Sequence, residues 1–121
     1  MIKLVYCIKR KASVPAQEFH RYWLEDHGPK VKGVAAACGA VRYVQSHRIL
    51  PDVNAGFRAS RGMSEGYDGI TEIWFDDEAS MTAALGTKDG VAAAKMLLED
   101  ESHFIDFATS SIFMTQEHEI F

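Results

Sequence analysis

Phe19-His20-Arg21-Tyr22-Trp23-Leu24-Glu25-Asp26-His27-Gly28-Pro29-Lys30-Val31 is the stretch from which the fold is read. Phe19, Trp23, His27 and Val31 recur every fourth residue, so on a helix they form one slowly drifting stripe. Three are apolar, and the fourth takes up a proton near neutral pH. The Gly28-Pro29 step predicts a break, because proline lacks the amide hydrogen and clashes with the carbonyl four residues back. One helix is therefore expected over about residues 15–26, entered through Ser13 and Pro15. A second segment follows through Val31, Val34 and Ala35 to Cys38, where Gly39 stops it. His27 is left at a helix boundary on the edge of a core.

Working outward, residues 2–9, 40–49, 69–75 and 110–116 read as strands. Asp76-Asp77-Glu78 opens a helix reaching about residue 85, acidic where the helix dipole favours it. Residues 88–104 read as helical again. Residues 50–68 hold Pro51, Gly56, Gly62, Gly66 and no clear period, and are expected to be a long loop of the lid or mobile type. The order is β-α-β-β-α-β, which predicts an α+β, ferredoxin-like domain spanning residues 1–121, with helices over one face of a four-stranded antiparallel sheet. Large apolar groups fall on both faces of the first three strands. A homodimer that packs two sheets face to face would cover the second.

At 121 residues with 47% apolar content, the chain is long enough to bury one core without staples. A net charge of −4 argues against nucleic acid as a partner. No apolar run nears the ~20 residues of a membrane span. The first strand does not read as a secretory signal, and Cys7 and Cys38 lack metal-ligand spacing, so a reduced, cytoplasmic protein is expected. No phosphate loop, nucleophile elbow, dinucleotide fingerprint or zinc spacing is present, and no metal or cofactor is expected.

Phe19-x-x-x-Trp23-x-x-x-His27-Gly28-Pro29 resembles the EthD family. Tyr43-Val44-Gln45-Ser46-His47, Asp68-Gly69-Ile70-x-Glu72-x-Trp74-Phe75 and Asp100-Glu101-x-x-Phe104-Ile105-Asp106, with Glu117-His118 beyond, resemble its later segments in order. The resemblance implies a ferredoxin-like chain dimerised into an α/β barrel. Members and neighbours of the family include polyketide dehydratases, muconolactone isomerases and cofactor-free quinone-forming monooxygenases, so the resemblance implies a fold more firmly than a reaction.

If one sheet face lines a barrel interior, alternation places Tyr6, Tyr43, Gln45, His47, Glu72 and Trp74 on it together. Aromatic walls with a few polar groups suit a flat, mostly apolar ligand. In that arrangement His47 is the general base, a partly desolvated Glu72 the acid, Tyr43 and Gln45 donors to a carbonyl or enolate oxygen, and Tyr6 and Trp74 the stacking wall. The same groups also suit a satisfied polar network at a dimer interface. His27 is a third catalytic candidate at the pocket mouth; its structural alternative is to bond backbone groups freed by the helix break. His20 is expected on the surface. His103, near the end of the last helix, is the position to examine for haem ligation, and Arg48, Arg58 and Arg61 are positioned to meet an anion or simply to solvate the loop. The expected function is binding or cofactor-independent acid-base conversion (dehydration, isomerisation or oxidation) of a small hydrophobic or aromatic oxygenated metabolite. The alternative is a non-catalytic accessory protein that holds such a ligand for a separate degradation enzyme.

Overall fold

The computed structural model describes residues 1–121. In chain order it contains β1 (Ile2–Ile8), α1 (Ala16–Tyr22), a π-helical turn (Trp23–His27), α2 (Gly28–Cys38), β2 (Ala40–His47), α3 (Pro51–Arg61), β3 (Gly69–Phe75), α4 (Glu78–Leu85), α5 (Lys88–Glu101) and β4 (Ser111–Thr115). The strands make one antiparallel sheet in the order β2-β3-β1-β4, so each half of the chain places one strand at the centre and one at an edge. This is the split β-α-β arrangement anticipated from the element order. No helix is long and apolar enough to cross a membrane.

The central core is small and aromatic. Ile8, Phe19, Trp23, Phe104 and Ile105 are each almost fully buried, with Tyr6, Val14 and Tyr22 packed against them. Burying side chains of this size stabilises by about 1.5–3 kcal/mol each before chain entropy is counted. Gly69 lets the helix approach the sheet closely: a Cβ there would lie 2.5 Å from the Trp23 ring and 2.7 Å from the Ser46 carbonyl oxygen.

Three expectations are corrected. The helix does not break at Gly28-Pro29, since His27 and Gly28 both keep right-handed helical dihedrals. Trp23–His27 instead forms a π-turn, in which the Gly28 amide donates to the Trp23 carbonyl. Widening the turn by one residue accommodates a proline that could not have bonded to the carbonyl of Glu25. Second, residues 50–68 are not a structureless loop, because Pro51–Arg61 is helical. Pro51 sits in its first turn; Gly62 is left-handed, and the Gly62 and Met63 amides donate to Ala59 and Arg58, closing a Schellman stop. No residue of α3 is buried, and Leu50, Val53 and Phe57 stand exposed along it.

The third correction concerns phase. Directly paired residues share a sheet face. Tyr6 pairs with Thr71 and Val5 with Glu72, while Tyr43 pairs with Ile73 and Arg42 with Trp74. Tyr6, Tyr43, Gln45 and His47 therefore lie beneath the helices, and Glu72 and Trp74 lie on the opposite, helix-free face. The six residues expected to share one wall are divided between two.

Candidate functional site

On the helix-covered face, four residues form one hydrogen-bonded chain. The Gln45 amide nitrogen donates to the Trp23 carbonyl and to the Tyr43 hydroxyl, both at 2.8 Å. A carbonyl only accepts, so this orientation turns the Gln45 Oε1 toward His47, whose Nε2 donates to it at 2.8 Å. The Nδ1 of neutral His47 then accepts from His20 Nδ1, also at 2.8 Å. Burial lowers the pKa of both histidines, and the His47 ring lies 4.2 Å from the Trp23 ring. With both nitrogens engaged, His47 positions Gln45 and has no free lone pair to act as the expected base. His20, expected on the surface, is half-buried as its partner.

His27 is also held locally, but by a side chain and not by freed backbone groups. Its Nδ1 meets Asp100 Oδ2 at 2.6 Å. The other oxygen of Asp100 accepts from Tyr22 at 2.5 Å and from Lys30 at 2.6 Å. Burial alone would raise the Asp100 carboxyl, yet the bonds from Lys30, Tyr22 and His27 outweigh it and hold the pKa at about 2. Burial is also the main reason that His27 is driven toward its neutral form. Asp100 was legible only as part of the family resemblance, although its spacing of seven from the buried Ala93 marks it as inward-facing.

A cavity of about 210 Å³ lies between the sheet and the helices. Its floor is Leu4, Tyr6, Ile73 and Phe75, and its roof includes Val31, Ala35, Ala94 and Leu97. Of the fourteen lining residues thirteen are hydrophobic, and the remaining one is Glu101. Burial raises the pKa of Glu101 to about 7, the charge of Asp100 adds to the rise, and the Tyr6 hydroxyl partly offsets it. Tyr6 is pushed up in turn, by burial and then by the charge of Glu101. Glu101 was not anticipated as a site residue. The available signal was its place on the stripe Ala94, Leu97, Glu101, a carboxylate where the helical period calls for an apolar side chain. A wider open groove shares Val31, Ala35 and Ala40 with this cavity and continues outward between α2 and the edge strand β2.

The helix-free face carries a separate network. Lys3 pairs with Glu72 at 2.6 Å, and Trp74 Nε1 donates to Glu117. The Arg42 guanidinium stacks 4.5 Å above the Trp74 ring. Glu72 is thus an ion-paired carboxylate, and the carboxylate buried in apolar surroundings is Glu101. Arg48 pairs with Asp68 at 3.3 Å and Glu65 at 3.2 Å, Arg58 and Arg61 lie on α3, and His103 is exposed beyond the end of α5. No group of three or more His, Cys, Asp or Glu side chains is arranged to hold a metal ion.

Comparison with solved structures returns this architecture over nearly the full chain. An ethyl tert-butyl ether D (EthD) family protein from Bacillus halodurans superposes with a TM-score of 0.65 at 18% identity, covering 98% of this chain and 99% of its own. A dimeric protein of ferredoxin-like fold from Bacteroides fragilis gives a TM-score of 0.59 at 12% identity, over 96% of this chain and 95% of its own. SnoaB from Streptomyces nogalater, a cofactor-independent oxygenase, gives 0.55 at 12% identity, over 98% and 93%. At these identities the likeness is one of fold. Among curated proteins none matches the chain. The sequence model of the EthD domain matches residues 11–108, which take in the π-turn, the His20–His47 pair, Asp100 and Glu101, and the chain belongs to the EthD family.

Proposed function

We propose that the chain is a homodimeric α/β barrel that converts a small hydrophobic or aromatic oxygenated metabolite by cofactor-independent proton transfer, with Glu101 moving the proton. The observation that carries this reading is one carboxyl, held near neutrality, in a cavity otherwise walled by apolar groups. A general acid-base works best with a pKa near the working pH, and desolvation supplies that here. Glu101 takes a proton from the carbon beside a ligand carbonyl, and the Tyr6 hydroxyl, which donates to Glu101 in the free protein, turns to the oxygen on which charge develops. His20, His47 and Gln45 act through Tyr43, fixing the polar side of the groove that adjoins the cavity. Glu72 and Trp74 belong to the seam between sheets. A dimeric relative and a cofactor-independent oxygenase of the same fold support this reading.

The test follows solvent deuterium exchange at the α-carbons of 4-methylcyclohexanone by NMR. Wild type accelerates exchange, and Glu101→Gln lowers the acceleration by about 10²-fold or more while ligand affinity changes little. The almost wholly apolar lining also favours the second reading, a carrier that holds a ligand for another enzyme. A carrier binds the ketone and leaves exchange at the background rate in wild type.

A further inference from the structure

The cavity also restricts what can occupy it, and the inference rests on the cavity being the functional site. We infer that the ligand is an uncharged molecule built on a single ring with one hydrogen-bonding oxygen, and that tricyclic and ionic compounds bind more weakly. Size is the first argument. A dry apolar cavity of about 150 Å³ is enough to hold benzene, and the space here is about 210 Å³. One ring with small substituents fills it at interior packing density, and three fused rings would have to run out of it into the open groove between α2 and β2. The room exists because Ala35, Ala40 and Ala94 are small where the helices and β2 face the floor formed by Leu4, Ile73 and Phe75.

Charge is the second argument. The lining holds no lysine, arginine or histidine. A ligand carboxylate would be desolvated with no cation and would face Glu101, which is costly on both counts. An ammonium ligand would find Glu101, but its three donors would meet only that carboxylate and the Tyr6 hydroxyl, leaving its desolvation under-compensated. A neutral hydroxyl or ketone needs one partner, and the Tyr6–Glu101 corner supplies it.

The experiment titrates the full chain with p-cresol, 4-methylbenzoate, 4-methylbenzylamine and 2-hydroxyanthracene, by calorimetry and by amide chemical shifts. The expected result is p-cresol binding about tenfold or more tighter than each of the others, with shifts centred on Ile73, Leu97 and Glu101. Ala94→Leu should remove p-cresol binding, and Leu97→Ala should admit 2-hydroxyanthracene; should the first variant not fold, the second carries the structural arm. Binding of 2-hydroxyanthracene or of either ion by wild type as tight as that of p-cresol overturns the size or charge restriction and leaves the site standing. Binding of none of the four overturns the site together with the restriction. Tight p-cresol binding without deuterium exchange in the ketone assay supports the restriction and removes only the catalytic reading.

Discussion

Two adjacent carboxylates at the end of α5 behave in opposite ways because they face different surroundings. Asp100 meets Lys30, Tyr22 and His27 and stays ionised; Glu101 meets a hydrocarbon wall and Tyr6 and is held near neutrality. For Glu101 the folded chain binds the proton more tightly than the unfolded chain, so stability falls as pH rises from the ordinary carboxylate value through about 7. Glu101→Gln has no proton to lose. Chemical denaturation across pH should show it more stable than wild type above that range, by up to about 3 kcal/mol, and little different well below it. The Asp100 shift has the opposite sign: its contribution is present above the ordinary carboxylate value and is lost as pH falls toward about 2. Asp100→Asn removes the charge beside Glu101, so the Glu101 midpoint, read by carboxyl carbon NMR, should move down, and stability at pH 7 should fall by about 3 kcal/mol as Lys30 and His27 lose their partner. Phe19, Trp23 and His27 were legible because spacing alone aligns them. Glu101 was not, because a glutamate on a helix reads as a solvated face until the burial of its stripe is known.

At the level of elements, the order of strands and helices followed from local patterns, but relative phase did not. β3 carries Ile70, Glu72 and Trp74 on one side and Thr71, Ile73 and Phe75 on the other, so either side passes for the core side. Only the pairing of Val5 with Glu72 decides between them, and that is a long-range fact. α3 was missed for another reason: the proline and glycine that argued for a loop are its start and its stop. The contact between the π-turn and β3 gives a test at this scale. Gly69→Ala sets a methyl against the Trp23 ring and the Ser46 carbonyl, and should cost about 1–3 kcal/mol, seen as a lower Tm with an altered tryptophan near-UV signal.

Across the whole molecule the sheet separates two sets of polar side chains, one under the helices and one on the open face. Ile70 and Phe113 stand 37% and 51% exposed on that open face, and the proposed dimer would bury them. Phe113→Arg combined with Ile70→Arg should weaken association about 100-fold or more in sedimentation equilibrium and leave p-cresol binding within the protomer intact. Wild type sedimenting as a monomer at micromolar concentration would discard the barrel. The π-turn has a mechanical corollary. It stores one surplus residue in an otherwise continuous rod, so excising solvent-facing Glu25 would restore regular winding with both halves still aligned, whereas rewinding the turn with Glu25 kept would rotate the upstream half by about 100°. In that rewound form Phe19 would swing out of the interior while Val31 stayed in place, so the turn, by absorbing a single codon, keeps the two halves of the rod in phase.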